Sequence, residues 1–341
     1  TAGSLAVTSA VAFSGSGSKA VDQQTLAILG MMSCASPLEE KILGSARLLA
    51  PGAITETLEG MFAGNMIVMV GVGCLWVLIA HVLGARTGNL LEAKATVYFP
   101  SVPFAVATVL FQGTAFVSFR MVAKPGDVGS LVAGIIGIIV VIVIPIAAFY
   151  YCHLVTAQFH RYHFTADDDK KFGKVLTKFL FPNGRWRPGT TVKSDGSVFV
   201  ELQKENRVWV THIFWSPLLT AFIASLEVTD RDMCIGQYIA IGFVQLIMAV
   251  VVILVRPWRM KIDNILAVMS SITIGAGAFS IAASTADYSG PEALEVIASL
   301  EGTISILRIL TLIFVLYVEF KLDRPTPPPY LLKNIALQST T

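Results

Sequence analysis

The sequence predicts an all-α integral membrane bundle of seven transmembrane helices carrying a small cytoplasmic helix-plus-hairpin insertion. Three observations predict it. Of 341 residues, 54% are apolar and 14% charged, more apolar surface than a water-soluble core of this size can hide. Seven stretches have the length and composition to cross a hydrocarbon core of roughly 30 Å at about 1.5 Å per residue. The Lys and Arg residues fall in alternate gaps between those stretches, as the asymmetry of membrane loops requires.

Residues 1–60 form an extracellular or luminal pre-membrane region. Its start is rich in Ala, Ser, Gly and Thr, and Gln24 to Met32 is apolar but too short to span. Ser36, Pro37 and Glu39 supply a helix start, with Ser as N-cap and Pro in the first turn. A helix over 37–49 is expected to lie on the outer membrane surface, stopped by Pro51 and Gly52.

The bundle occupies 61–320. Its spans are Met61 to Leu83, Val97 to Val122, Leu131 to Leu154, Val208 to Leu226, Ile235 to Val255, Ile265 to Ala283, and Ile297 to Phe320. Pro100, Pro103, Pro145 and Pro217 are expected to bend three of them. In the sixth span, Ser271, Gly275, Ala276, Gly277, Ala278 and Ser280 let another backbone come close. The one sizeable soluble insertion, 156–207, predicts a helix from Asp167 towards Lys178, broken at Trp186 to Gly189. A hairpin of Thr191 to Lys193 with Val198 to Leu202 follows, turning on Asp195 and Gly196. The tail, 321–341, is Pro-rich and extended.

Charge sets the orientation. Arg86, Lys94, the basic set of 161–207, Arg256, Arg259, Lys261, Lys321, Arg324 and Lys333 share one side. Only Lys124 and Arg231 offset Asp127, Glu227, Asp230, Asp232, Asp287, Glu292 and Glu295 on the other, with Arg120 a further exception. The N-terminus is therefore expected outside and the C-terminus in the cytoplasm. With no signal segment in its first residues, the chain reads as the membrane portion of a longer precursor.

Cys74 and Cys152 fall within spans, where packing explains them. Cys34 and Cys234 share the outer side, where an oxidising compartment lets them pair if their Cα atoms come within about 7 Å. His153, His160 and His163 sit beside Tyr150, Tyr151 and Tyr162 at the inner end of the third span, where residues with polar tips at headgroup depth account for them better than a metal site does. No phosphate loop, paired-His helix or nucleophile elbow is present. We expect no enzyme, no cofactor, no metal site and no nucleic-acid partner.

Ionisable and amide side chains inside spans are the functional pointers, because each is costly to bury. Glu301 and Arg308, seven residues apart, share a helix face about 10 Å apart along the axis. They either brace the bundle or line an ion or solute path. Gln112, Gln245 and Asn65 are the other candidates, as glue between helices or as path lining. In the tail, Pro327, Pro328 and Tyr330 fit the Pro-Pro-x-Tyr pattern read by WW domains, a four-residue match for which a plain extended linker is the simpler account.

At the inner end of the fifth span the chain reads Arg256, Pro257, Trp258, Arg259, followed by Asp263, Asn264 and Ile265. This junction resembles that of TRP-like eukaryotic membrane domains, including those at the C-termini of very large surface proteins. Phe111, Gln112 and Gly113, and Phe179, Phe181, Asn183 and Gly184, fit the same pattern more loosely. The resemblance runs from Met61 to Phe320 and implies a helical bundle behind a secreted ectodomain, with ion or small-solute passage as its proposed role. The Cys-rich lipid-binding ectodomain of the fungal members is not matched, since only Cys34 precedes the first span. The Ala- and Ser-rich start is similar instead to the end of adhesin-type giants such as the dispersed gene family of trypanosomes.

Three functions are therefore carried: a membrane anchor of a larger cell-surface protein in the plasma or flagellar membrane, a TRP-like channel or carrier, and a seven-helix receptor. The receptor lacks support in two places. The seventh span has no Lys for retinal, and the third ends Tyr150, Tyr151, Cys152, His153 without an acid–Arg pair. The expected partners are the bilayer, the upstream domain, and, for the alternatives, ions or small solutes and a WW-domain protein.

Overall fold

A computed structural model describes residues 22, 24, 25, 28, 29, 32, 50–55, 57–154, 158–161, 184–187, 191, 202, 203, 205, 209, 211–226, 228, 230–287, 299, 300, 302–304, 306–311 and 313. The predicted surface helix of 37–49, apart from its flank at Ala50, lies outside them. So do the insertion helix of 167–178 and most of the 191–202 hairpin.

Helix α1, Leu58–Thr87, is capped at its start by Thr57, whose hydroxyl accepts from Gly60 N at 3.2 Å, and ends at Gly88 with φ 70°. Asn89 caps the short α2, Leu90–Thr96, by accepting from Leu91 N and Glu92 N. A tight turn with Tyr98 at φ 53° and a cis Phe99–Pro100 bond leads into α3, Ser101–Ala123. Asp127 starts α4, Val128–Leu154, accepting from Ser130 N at 2.6 Å. Then come α5, His212–Ser225, α6, Arg231–Val255, and α7, Lys261–Asp287. A further apolar helix, α8, covers Gly302–Thr311.

Five of these, α1, α3, α4, α6 and α7, are long and apolar enough to cross a membrane. The predicted fourth and seventh spans coincide with the shorter α5 and α8. At 14 residues α5 covers about 21 Å, less than a bilayer core. The prolines divide. Pro145 and Pro217 lie within α4 and α5, but Pro100 precedes α3 and Pro103 stands in its first turn. There a missing N–H breaks no helical bond, so neither bends the span.

α3 is the hub, packing against α1, α4 and α5, while α6 and α7 form the closest pair and α5 joins the two halves. Over half of the apolar window of α3 is buried against 6% of that of α1, an arrangement that suits lipid as solvent. The face of α1 that carries Ile67, Val70, Leu75 and Leu78 is exposed, whereas Thr108, Gln112, Thr114, Ser118 and Arg120 of α3 are buried. Close approach between helices rests on glycine at several contacts. A Cβ on Gly64 would overlap the carbonyl of Gly52, and one on Gly242 would sit 2.8 Å from the Phe279 ring. The small stripe of α7 meets α6 at Gly275, whose added Cβ would be 3.3 Å from Gly242 O.

Two features differ from expectation. The strands described in the insertion are β1, Gln158–Arg161, and β2, Gly184–Arg187, antiparallel with Phe159 opposite Trp186. Leu202, at the end of the expected hairpin, bridges Trp258. Four-residue strands are too short to show alternation, and this pairing joins segments far apart in sequence, so no local turn signal marks it. The second difference is the pre-membrane stretch. Asp22, Gln24, Thr25, Ile28 and Leu29 are helical, and Gln24, Thr25, Ile28, Leu29 and Met32 are all buried within the helices.

Candidate functional site

Charged and amide side chains within the helices form three groups. The first is a seam between the pre-span segment and α3, α7 and α8. On α8, Ile304, Arg308 and Thr311 are buried while Ile306, Leu307, Leu310 and Ile313 are exposed. Spacing of four and three puts the buried set on one face, so the guanidinium turns inward, where it finds hydrogen-bond partners. Arg308 Nη1 donates to Asp22 Oδ2 at 2.7 Å and Nη2 to Leu266 O at 3.0 Å. Ser270 Oγ donates to the same carboxylate oxygen at 2.9 Å.

One turn on, Thr25 and Gln112 exchange hydrogen bonds at 2.9 and 3.3 Å, and Gln24 Nε2 donates to Val109 O at 2.5 Å. Asn65 extends the polar interior to α1, donating to Thr114 Oγ1 at 3.2 Å and accepting from Gly52 N at 3.3 Å. Of the residues the sequence singles out, Asn65, Gln112 and Arg308 thus all bond residues of other elements. Gln245 stands apart and ties α6 to α5 through Ser216 at 3.2 Å and Thr220 at 3.5 Å. Glu301 lies outside the described residues, as do Cys34, Pro327, Pro328 and Tyr330.

Sequence reasoning missed Asp22, Gln24, Thr25 and Ser270. A signal existed: a buried Arg needs an acceptor, and Asp22 is the sole acid before Glu39. It stands at the head of a short apolar stretch whose Ile28, Leu29 and Met32 recur at helical spacing.

The second group closes the end of the bundle near Asp230. Arg120 Nη1 donates to Ser225 O at 3.2 Å, and Gln237 Nε2 donates to Ile223 O and Leu226 O, both at 2.9 Å. Arg231 reaches Thr285 O with Nε at 3.1 Å and Nη2 at 2.6 Å. These side chains satisfy carbonyls that helix ends leave open, and the two arginines face the negative ends of α5 and α7. Cys234, buried beside them, is disulfide-bonded, whereas Cys74 and Cys152 are in no disulfide.

The third group is the junction that resembles a known family, at the opposite end. Arg256 takes a left-handed conformation, φ 49°, and its N–H still bonds Val252 O at 2.9 Å, after which Pro257 forbids more helix. Asn264 then staples the corner. Its amide donates to Trp258 O at 3.0 Å and Met260 O at 2.8 Å, and its oxygen accepts from Trp258 N at 3.3 Å. Gln203 docks here, N to Pro257 O and Nε2 to Trp258 O, both at 2.9 Å. The geometry is that of a corner joining the insertion to α6 and α7. Asn264→Ala removes three bonds at a part-buried corner and is expected to lower stability by about 2 kcal/mol. Thermal melts in detergent check it, and an unchanged midpoint would show the staple to be idle.

No cluster of three or more His, Cys, Asp or Glu suited to a metal ion is found among the described residues. In comparison with known families, residues 61–319 match the Dispersed gene family protein 1 C-terminal domain. No curated protein and no solved structure matches the chain.

Proposed function

This chain belongs to the Dispersed gene family protein 1 C-terminal domain family, and from that premise we propose that it is the multi-pass membrane anchor of a larger cell-surface protein. The observation that carries the reading is the inside-out arrangement of the bundle. Apolar faces such as that of α1 point outward, and the buried Arg308, Gln112 and Asn65 are each bonded to another part of the chain. That interior chemistry holds helices together, and the reading assigns the chain no catalytic step and no cofactor. Its partners are the bilayer and the upstream part of the precursor.

In this reading the chain makes seven passes, with α5 and α8 the cores of the fourth and seventh. The end that carries Cys234 and Asp230 faces outward, and Arg256, Arg259 and Lys261 face the cytoplasm. The positive-inside asymmetry supports this orientation, and so does the Cys234 disulfide, because such bonds persist on the oxidising side. With Cys74 and Cys152 in no disulfide, the intrachain partner left in the sequence is Cys34. Non-reducing peptide mapping is expected to recover a Cys34–Cys234 peptide pair, and a Cys34 that alkylates without reduction would remove that pairing.

The test has two arms. A tag inserted near Gly196 is expected to be reached by antibody only after permeabilisation, so labelling of intact cells would invert the topology. Purified chain reconstituted in planar bilayers is expected to add no conductance. A conductance whose ion selectivity shifts with Arg308→Gln would replace the anchor by the TRP-like channel.

A further inference from the structure

We propose that the two-stranded ribbon of β1 and β2 is a binding surface for anionic lipid headgroups, with Arg185 and Arg187 as the residues that select them. The inference rests on the membrane-anchor reading, which puts this end of the bundle at the cytoplasmic leaflet. The strands run Gln158, Phe159, His160, Arg161 and Gly184, Arg185, Trp186, Arg187, with no acid among them. Their register sets Arg187 across from Gln158, Arg185 across from His160, and Trp186 across from Phe159. Residues directly opposite in an antiparallel pair share a side of the sheet, and neighbours along a strand alternate. The positions of Gln158, His160, Arg185 and Arg187 therefore belong to one side, and those of Phe159, Arg161 and Trp186 to the other.

Phe159 decides which side meets the bundle. It packs against the buried core, whereas Gln158 is exposed, so the basic side is the one turned away from the helices. Its depth follows from α4, whose last residue, Leu154, is exposed. Four residues further on, β1 begins, within about 14 Å of that helix end, where apolar surface gives way to headgroups. A side turned away from the protein at that depth looks onto lipid phosphates. Arg185 and Arg187 are two positions apart on one strand, about 7 Å along it, and a guanidinium takes a phosphate through paired N–H groups. The same end of the helices carries Arg86, Lys94, Arg256, Arg259 and Lys261 against Glu92, Glu205 and Asp263 among the described residues. An anionic leaflet draws such clusters to itself, by roughly fivefold for each Lys or Arg near its surface.

Thermal melts of the full 341-residue chain reconstituted in vesicles test this. In phosphatidylcholine mixed with phosphatidylserine the chain is expected to melt about 3 °C above its midpoint in phosphatidylcholine alone. Arg185→Gln/Arg187→Gln should lose most of that shift, whereas Arg161→Gln, on the other side of the ribbon, should keep it. An undiminished shift in the double variant, or an equal loss in Arg161→Gln, would overturn the site. If the double variant fails to fold, Arg185→Gln and Arg187→Gln singly should each lose part of the shift, and two unaltered shifts overturn it equally. Inorganic phosphate added to phosphatidylcholine vesicles should leave the midpoint where it is; a shift as large as that of phosphatidylserine would replace the lipid by a free anion. A chain indifferent to phosphatidylserine but raised by poly-glutamate would replace it by an acidic protein. Alkaline carbonate extraction of the same vesicles keeps the two readings apart. Release of the chain from phosphatidylcholine vesicles sinks the anchor, while a retained chain that ignores phosphatidylserine sinks the headgroup surface alone.

Discussion

Arg308→Leu is expected to destabilise the bundle by about 3 kcal/mol, the lower end of what breaking a buried ion pair costs. The lower end applies because Asp22 keeps 22% of its side-chain surface and gains some solvation once abandoned. The substitution strips Asp22 of its counter-ion and leaves Leu266 O without this donor, while the introduced side chain is itself at home beside Ile304. Most of the loss therefore comes from what is left behind. The double variant Asp22→Ala/Arg308→Leu should be more stable than Arg308→Leu alone, since no uncompensated charge remains. Thermal melts of the unaltered chain, both single variants and the double in one detergent measure the coupling. A strictly additive cycle would mean that the pair contributes nothing beyond its separate members.

Arg120→Leu is the second large effect, expected at about 2–4 kcal/mol from an unsatisfied buried carbonyl together with loss of a positive charge at a helix C-terminus. The guanidinium is 4% exposed and bonds Ser225 O, the last residue of α5. A 14-residue helix that ends inside the bundle cannot carry its terminal carbonyls into water. Gln237 covers Ile223 O and Leu226 O, so Arg120 and Gln237 together close that end. Arg120→Lys should recover part of the loss by restoring the charge without the fork. Melting midpoints with near-ultraviolet circular dichroism check it. Equal stability of Arg120→Leu and the unaltered chain would show that water reaches the end of α5.

The helices were largely legible because length and apolarity are local properties of the chain. Spans one, two, three, five and six are recovered as α1, α3, α4, α6 and α7, each within a few residues. The Arg256–Asn264 junction was legible as a turn, since Pro257 cannot continue a helix. That Asn264 closes it with three hydrogen bonds was not, because an amide's partners are set by a fold and not by spacing. Arg120 illustrates the limit. By loop charge it is an exception on the wrong side, and only the α3–α5 contact shows it to be a helix cap.

By itself, then, the sequence determined that this is an all-α chain with several helices long and apolar enough to cross a membrane, where those helices lie, and which polar residues within them demand an explanation. Hydrocarbon solvates no backbone or charge, so every such residue announces a cost along the chain. Only the tertiary structure decided who meets that cost. Asp22 lies 286 positions from Arg308, in a segment too short to span and so read as external. Nothing periodic connects them, and the pairing exists because the segment packs against α3 and brings its one carboxylate to the buried face of α8.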